Sequence, residues 1–212
     1  MKVGIVVPYS WSYWGAVIEH VELKAEALRA LGIETRTIMG HDPEGSFTRV
    51  LHPRHGRHGR PPADVIPVGR SVIVPANGAL PNIVLSPSAI PRVKRALRRE
   101  RFDVLHLHEP MTPVICTATL SWATCPIVGT FHASGQLAWN TLGKPVWGFL
   151  MDRIDRRIAV SEAARESSAT PSSPSQNRRA RGKSSAGNSI KSIGITQSAY
   201  AALRRFAATV GR

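Results

Sequence analysis

Residues 102–110, FDVLHLHEP, decide the fold together with residues 129–134, GTFHAS. Each segment begins as a short apolar run typical of a buried β-strand and then reaches histidine beside small or polar residues. In an open parallel α/β sheet, ligands bind outside the carboxyl ends of the strands. We therefore expect His108, Glu109 and His132 to lie where such a fold carries out its chemistry. His106, which lies inside its strand, is expected to be structural.

Strand and helix patterns alternate through the first 166 residues. This alternation predicts an α/β fold, a Rossmann-like parallel sheet flanked by helices. The predicted strands are residues 3–7, 33–39, 64–68, 71–74, 102–107, 126–130 and 156–160, and the predicted helices are residues 16–31, 88–101, 113–123 and 139–151. In the first helix we expect the apolar spacing of Val17, Val21, Leu28 and Leu31 to face the core. The side chains expected to face solvent are Glu19, Glu22, Lys24 and Glu26.

Residues 40–62 form a long polar insertion between these elements. His52, His55 and His58 recur every third residue in it, a spacing that fits neither a metal-binding helix face nor a zinc finger. Carboxylates are also scarce in this segment, so we expect a solvated basic loop and no metal site.

The positive charge of the chain is unevenly distributed. The 212 residues carry a net charge of +14, but all 14 acidic residues lie at or before Glu166. Residues 167–212 contain eight Lys or Arg and few large apolar side chains, so they cannot bury enough surface to offset the entropy of ordering. We expect one domain over residues 1–166 and a disordered, Ser-rich basic tail over residues 167–212, whose composition also suggests translation in a shifted reading frame.

The body of the chain is only moderately basic. Residues 1–166 hold 20 Lys or Arg against 14 acids, an excess of six that suits phosphate-bearing ligands or an anionic membrane surface. Nucleic acid is therefore not an expected partner. Cys116 and Cys125 are too few for a disulfide framework and are expected to be reduced thiols of a cytoplasmic protein. The chain has no apolar segment of the roughly 20 residues that cross a bilayer, and residues 3–7 are too short for a signal peptide.

Two positions carry candidate ligand contacts. Gly15 and Ala16 begin the first predicted helix, where free backbone N–H groups form a natural anion site, although an ordinary loop glycine is the alternative. The segment lacks a GxGxxG fingerprint, so a tightly bound dinucleotide is not expected. His132 follows a strand, where its ring can bond a sugar hydroxyl or a phosphate oxygen, and a structural histidine is the alternative.

The predicted helix at residues 88–101 is basic on one side and apolar on the other. Ile90, Val93 and Leu97 form its apolar side, and Glu100 is its only acid. Such a helix can lie on an anionic membrane, although a solvated outer helix is the alternative. The candidate membrane-facing residues are Arg92, Lys94, Arg95, Arg98 and Arg99.

Five runs taken together resemble the N-terminal domain of family 4 glycosyltransferases, the retaining enzymes of the GT-B fold. They are VGIVVPYS, GAVIEHVELKAEALRALG, RVKRALRRERFDVLHLHEP, PIVGTFHAS and DRRIAVSEAAR, and they extend from the start of the chain to about residue 166. Within that family the pattern is most similar to the actinobacterial phosphatidylinositol mannosyltransferases. The resemblance implies the N-terminal half of a GT-B fold.

The resemblance also implies two Rossmann-like domains that face each other across a cleft. The C-terminal domain binds most of a nucleotide-diphosphate sugar, with GDP-mannose as the candidate donor, and the N-terminal domain holds the acceptor. Gly15 and Ala16 would meet the donor diphosphate, and His132, the candidate catalytic residue, would lie beside the transferred sugar. No metal or other cofactor is expected. The candidate acceptor-binding residues are Tyr9, Asn77, His108 and Glu109.

The chain departs from the family pattern at three places. Ala16 stands where the family often has a second glycine, and its methyl group would crowd the phosphate. A Tyr-Asn pair and an Arg hold the inositol phosphate in the mannosyltransferases, whereas Ala76, Asn77 and Asn82 stand at the matching positions here. The loss of a phosphate-binding Arg argues against phosphatidylinositol as the acceptor. The linker and second domain of the family are not recognisable after about residue 166.

The leading hypothesis is a glycosyltransferase half-domain. In the complete enzyme it would transfer a sugar, with mannose as the candidate, to a lipid or glycan acceptor with retention. We expect negligible activity from this chain alone, and either a truncated gene product or a separately encoded C-terminal partner chain. The expected location is the cytoplasm, with peripheral contact to the inner face of the cell membrane. The alternative is a non-catalytic α/β module that docks on anionic membrane or nucleic acid through its basic tail.

Overall fold

The computed structural model describes residues 1–52, 56–57, 59–75, 80–132, 144–161, 164 and 191–192. The strands in this part of the chain are β1 (Lys2–Ser10), β2 (Glu34–Gly40), β3 (Val65–Pro67), β4 (Val72–Ile73), β5 (Asn82–Ile83), β6 (Val104–His108), β7 (Ile127–Phe131), β8 (Arg156–Ala159) and β9 (Lys191–Ser192). The helices are α1 (Ala16–Ala30), α2 (Ser46–Leu51), α3 (Ala89–Glu100), α4 (Ile115–Trp122) and α5 (Lys144–Met151).

A parallel sheet forms the centre of the molecule, with the strand order β3-β2-β1-β6-β7-β8-β9. Every neighbouring pair in this order is parallel. Val6 of β1 pairs with Leu107 of β6, and His108 of β6 pairs with Thr130 of β7. Beside the end of β1, β4 and β5 form an antiparallel pair. The carboxyl ends of β1, β6 and β7 therefore lie next to one another at one edge of the sheet.

Helices cover both faces of this sheet. Successive side chains of a strand point to opposite faces, so Ile5 of β1 packs on the side of α1 and Val6 packs on the side of α3 and α4. The predicted Rossmann-like parallel sheet flanked by helices is confirmed. The buried residues of α1 are Ile18, Val21, Ala25 and Leu28. The prediction that Leu31 faces the core is wrong, because the helix ends at Ala30 and Leu31 lies exposed just after it.

Two local expectations change in the structure. The first strand continues past residue 7 to Ser10, because Ser10 pairs with Gly40 of β2 and Tyr9 pairs with Ile83 of β5. The insertion at residues 40–62 contains a helix, α2, and the prediction that His52 is solvated is wrong. The His52 side chain is buried, with Nε2 3.0 Å from the backbone oxygen of Ser71.

Parts of other predictions lie outside the described residues. These parts are His55 and His58 of the insertion, the first five residues of the predicted helix at 139–151, and most of the tail. Within residues 167–212 the structure describes only β9, which pairs in parallel with β8. Among the helices of the described ranges, none is both long enough and apolar enough to cross a membrane.

Candidate functional site

Four basic side chains meet at the carboxyl edge of the sheet. They are His20 and Lys24 from α1, His108 at the end of β6 and His132 directly after β7, and we call them the basic cluster. His108 is fully buried, and the other three are half-buried. The structure thus brings together two predicted site residues, His108 and His132, through the parallel pairing of β6 with β7.

Direct contacts connect the members of the basic cluster. Nζ of Lys24 lies 3.5 Å from Nε2 of His108. Nδ1 of His108 lies 2.8 Å from Nε2 of His132, and the two rings are stacked with centroids 5.0 Å apart. The ring of His20 packs edge-on against both, with centroids 5.7 Å from His108 and 5.4 Å from His132.

His106 lies behind the cluster on the same face of β6, as its alternation with His108 predicts. Its ring centroid is 4.6 Å from that of His108, and the side chain is fully buried. Nε2 of His106 lies 2.7 Å from Oγ1 of Thr130, so this histidine joins β6 to β7.

Glu109 connects the ends of the same two strands. Its Oε1 accepts a hydrogen bond of 2.7 Å from the backbone N–H of His132, and its own N–H donates to the oxygen of Thr130 at 2.9 Å. Its φ of 51° lies in the left-handed region, which costs energy for a residue with a side chain. Tyr9 is close to Glu109: burial raises the pKa of the Tyr9 phenol, and the Glu109 carboxylate raises it further.

Burial keeps the imidazoles of the basic cluster neutral. It is the main reason that the pKa of His20 falls to about 4 and that of His132 to about 3. The pKa of His108 is lowered well below its usual range, first by burial and then by Lys24. Burial also lowers the pKa of Lys24 to about 7. At neutral pH each imidazole of the cluster therefore has one protonated and one unprotonated ring nitrogen. Lys24 is close to half protonated at the same pH.

Three imidazoles of the cluster are close enough to share a metal ion. One ring nitrogen from each of His20, His108 and His132 lies within 4.8 Å of the others, a grouping that the sequence did not predict. Three histidines with an open fourth position can bind zinc. Both ring nitrogens of His108, however, already have partners in Lys24 and His132. A metal ion bound by His108 would have to displace one of them.

Gly15 and Ala16 lie exposed at the N-terminus of α1. Gly15 is extended, with φ −178°, and a Cβ built on it would meet no heavy atom within 4 Å. Neither backbone conformation nor packing therefore requires glycine here, and the space beside its backbone is open to a ligand.

Only some of the predicted acceptor-binding residues lie in the described part of the chain. Asn77 lies outside the described residues. Asn82, in β5, has a buried side-chain oxygen with no hydrogen-bond partner in the described part of the chain. Tyr9 is half-buried at the end of β1, on the side of Glu109.

The predicted membrane-facing side chains all lie on the exposed side of α3. The buried side of this helix consists of Ala89, Val93 and Ala96. Two of the cations also contact the protein: Nη1 of Arg92 lies 3.5 Å from the oxygen of Val68, and Nζ of Lys94 lies 5.1 Å from the ring centroid of Trp122. The exposed set is Arg92, Lys94, Arg95, Arg98 and Arg99.

Sequence reasoning missed His20, and its prediction that Lys24 faces solvent is wrong. Val17, Val21, Lys24 and Leu28 follow the i, i+4, i+7, i+11 spacing of one helix face, so the signal for Lys24 was present. A lysine in such a stripe is ordinarily assigned to the edge of the polar face. Only the packing of α1 against β6 shows that its amine reaches a histidine.

A second buried polar group, also not predicted, ties the insertion to the sheet. The carboxylate of Asp42 accepts hydrogen bonds from Oγ of Ser10 at 2.6 Å, from Oγ of Ser71 at 2.6 Å and from the backbone N–H of Ser71 at 3.0 Å. A buried carboxylate with three donors is a structural anchor.

Comparison with protein families and with curated proteins gives consistent matches. Residues 17–174 match the family described as Glycosyltransferase Family 4. A phosphatidyl-myo-inositol mannosyltransferase of Mycobacterium leprae (strain TN) is 35% identical over 166 residues, which cover 78% of this chain and 41% of that protein. The enzyme with the same description from Propionibacterium freudenreichii subsp. shermanii is 34% identical over 165 residues, covering 77% and 42%. The chain thus spans about two fifths of these relatives.

Solved structures overlap with the chain only loosely. An alpha-glucosyltransferase in complex with UDP-glucose and DNA containing an abasic site has a TM-score of 0.45 and 14% identity, covering 76% of this chain and 36% of that one. MurG of Acinetobacter baumannii has a TM-score of 0.42 and 11% identity, covering 75% and 41%. Overlaps of this size add nothing to what the strand order already establishes.

Proposed function

The chain belongs to glycosyltransferase family 4, and from this premise we propose that it forms the acceptor-side half of a sugar-transfer site. The complete enzyme would transfer a sugar, with mannose as the candidate, from a nucleotide-diphosphate sugar such as GDP-mannose to a lipid or glycan hydroxyl with retention. The observation that carries the proposal is the convergence of His108, Glu109 and His132 at the carboxyl edge of the sheet. Open α/β folds bind their ligands at this edge.

Each predicted site residue has a role in this proposal. His132 contacts the transferred sugar. Gly15 and Ala16 contact the donor diphosphate through backbone N–H groups at the start of α1, where the helix dipole favours an anion. The open space beside Gly15 permits that approach, and the exposed methyl group of Ala16 narrows it. Tyr9, Asn77, His108 and Glu109 form the acceptor side.

The departing diphosphate has to be stabilised as its charge develops. Preorganised N–H donors and basic side chains can do this without a metal ion. The α1 N-terminus supplies such donors from this chain, and we propose that the rest come from a second domain. That domain would be in the same polypeptide or in a separate chain. Residues 1–166 would accordingly give negligible turnover on their own, and the curated relatives, at more than twice the matched length, are consistent with this requirement.

The origin of residues 167–212 can be tested at the level of the gene. We propose that this acid-free tail results from a shifted reading frame in a family 4 gene. Genomic DNA downstream of codon 166, read in all three frames, should then encode the second domain. An adjacent gene for that domain would instead support a separate partner chain. Absence of both would overturn the proposal of a divided transferase.

A chimera tests the sugar-transfer function directly. Residues 1–166 are joined to the part of the Mycobacterium leprae mannosyltransferase that lies beyond its matched region, and the full chain of 212 residues is assayed beside it. GDP-mannose and UDP-glucose serve as donors, and phosphatidylinositol and a bacterial lipid extract serve as acceptors. We expect transfer by the chimera and none by the full chain. His132→Gln should lower the chimera's kcat/KM by about 100-fold, the order seen when one transition-state donor is removed.

The control for this variant is Ser121→Ala, which alters an exposed side chain on α4. It should leave transfer unchanged. A folded chimera that neither binds a nucleotide sugar nor transfers one would show that residues 1–166 do not build a transferase site.

We also propose peripheral contact between α3 and an anionic membrane. The five exposed cations of α3, Arg92, Lys94, Arg95, Arg98 and Arg99, support it, because each basic residue near such a surface contributes about 1 kcal/mol. The rival function is a non-catalytic module held through the basic tail. Acceptor-lipid binding that survives removal of residues 167–212 supports the transferase half-domain. Loss of all binding with the tail, together with a steep salt dependence, supports the module.

A further inference from the structure

A chain of two hydrogen bonds, which we call the line, connects Lys24 to His108 and His108 to His132. Nζ of Lys24 on α1 lies 3.5 Å from Nε2 of His108 on β6. The other ring nitrogen of His108, Nδ1, lies 2.8 Å from Nε2 of His132 after β7. Both histidines are buried enough to remain neutral, so each ring carries one N–H and one lone pair.

The charge of Lys24 determines which nitrogen carries each proton. An ammonium group only donates hydrogen bonds, so Nε2 of His108 has to offer its lone pair to Lys24. The single proton of His108 therefore lies on Nδ1, which donates to Nε2 of His132. Since Nε2 of His132 then acts as the acceptor, the proton of His132 lies on its Nδ1.

We propose that Lys24 is a positioning residue that fixes the tautomer of His132 through His108. The inference rests on the proposed function, in which His132 contacts the transferred sugar. Fixed in this way, His132 presents Nδ1 as an N–H donor, suited to a sugar hydroxyl or a phosphate oxygen. Nε2 of His132 faces His108, so the proposal assigns its Nδ1 to the ligand.

The direction of the line depends on the protonation of Lys24. A neutral amine has a lone pair and can accept from Nε2–H of His108, which would reverse both bonds. Within the described residues, the other titratable groups around these three side chains are His20 from α1, His106 and Glu109 from β6 and its end, Tyr9 from β1 and Cys116 from α4. Burial lowers the pKa of Lys24 to about 7, so the reversed arrangement becomes accessible in mildly alkaline solution.

Nitrogen-15 NMR of the full chain tests the inference without any substrate. The protein is labelled with ¹⁵N-histidine, and long-range ¹H–¹⁵N spectra are recorded at about pH 6. His108 and His132 should both show a protonated Nδ1 and a bare Nε2, preferred by about tenfold or more, as expected for a hydrogen bond to a charged group. His108→Gln and His132→Gln assign the signals.

Variants at Lys24 separate positioning from packing. Lys24→Met should abolish the preference for Nδ1–H at both histidines, and Lys24→Arg, which keeps a permanent donor, should retain it. Arg49→Met, at an exposed position on α2, is the control and should leave the tautomers of His108 and His132 unchanged. In the wild type, raising the pH through 8 should lower the Nδ1–H population of both rings together. If the Lys24 variants fail to fold, the wild-type spectra at the two pH values still decide the question.

Three outcomes would overturn the inference. They are a protonated Nε2 on His132 at about pH 6, a tautomer preference that is unchanged in Lys24→Met, and joint shifts of His20, His108 and His132 on addition of Zn²⁺, which would assign the cluster to a metal ion. Failure of the proposed function has a different signature. The tautomers would be as stated, but neither GDP-mannose nor UDP-glucose would shift Nδ1 of His132 in the chimera, which also contains the second domain.

Discussion

At the scale of single residues, Lys24 shows how burial changes the chemistry of a side chain. Its amine lies among neutral imidazoles, and desolvation lowers its pKa to about 7 from an ordinary value of 10.5. A lysine that gives up its proton near neutrality is a typical feature of functional clefts. Because the folded protein holds this amine in a desolvated position, its charged form should lower the free energy of unfolding.

Replacing Lys24 with methionine should stabilise the fold in a pH-dependent way. The folded-state pKa lies below the unfolded one, so between about pH 7 and 10.5 the unfolded chain binds more protons and stability rises with pH. Below pH 7 the charged amine is buried at full cost, and Lys24→Met should gain on the order of 5 kcal/mol there, since each unit of pKa shift corresponds to about 1.4 kcal/mol. The gain should shrink towards zero as the pH approaches 10.

Urea unfolding at pH 6 and pH 9 measures this difference. Lys94→Met, at an exposed position, should give no pH-dependent change. An equal gain from Lys24→Met at both pH values would mean that the variant improves packing alone and that Lys24 is not desolvated.

At the scale of elements, the start of α1 combines an exposed backbone with space that the fold does not use. Gly15 has neither a left-handed φ nor a neighbour within 4 Å of a built Cβ. Gly4 in β1 is the opposite case, because a Cβ there would come within 2.6 Å of the Leu105 side chain and 2.9 Å of the Phe102 ring. Packing therefore requires glycine at residue 4 but not at residue 15.

Gly15→Ala should leave the free energy of unfolding within about 0.5 kcal/mol of the wild type, as for other surface substitutions without steric conflict. It should weaken binding of a nucleotide sugar by the chimera about tenfold, because the methyl group occupies the approach to the backbone. Gly4→Ala should destabilise by about 1–3 kcal/mol through overpacking. Isothermal titration and urea unfolding of both variants measure these effects. Unchanged nucleotide-sugar affinity in Gly15→Ala would remove α1 from the donor site.

The exposed face of α3 makes a separate prediction about membrane contact. Reversing Arg95, Arg98 and Arg99 to Glu should lower binding to phosphatidylserine-containing vesicles by about 100-fold or more, given about 1 kcal/mol for each basic residue. Reversal of Arg49, Arg60 and Arg70 changes the net charge equally at exposed positions outside α3. Vesicle co-sedimentation compares the two. Equal losses from both triple variants would show that the attraction is general and that α3 is not the docking surface.

At the scale of the whole molecule, the insertion and the sheet behave as one structure. The carboxylate of Asp42, just after β2, accepts hydrogen bonds from Ser10 at the end of β1 and from Ser71 beyond β3. The loop that leads into α1 therefore depends on a residue that the sequence placed in a solvated segment. The shape of the sheet edge beside α1 therefore depends on contacts that form only in the folded protein.

Asp42→Asn tests this dependence. It replaces a carboxylate that accepts three hydrogen bonds with an amide whose NH₂ faces donors, so it should destabilise by about 2–3 kcal/mol. Urea unfolding measures the loss, and Glu26→Gln on the exposed side of α1 is the comparison, with an expected change below about 0.5 kcal/mol. A neutral result for Asp42→Asn would mean that the insertion is not anchored through this carboxylate.

The amino-acid sequence by itself determined the Rossmann-like parallel architecture and the strand ends at which the candidate site lies. Hydrophobic periodicity is local, so apolar runs such as residues 102–107 identify strands directly, and parallel pairing then places His108 and His132 at one edge. Tertiary structure alone decided that His20 and Lys24 join them, that His52 is buried, and that Glu109 binds the backbone of His132. Those contacts connect residues far apart in the chain, and no local pattern encodes which buried side chains will meet.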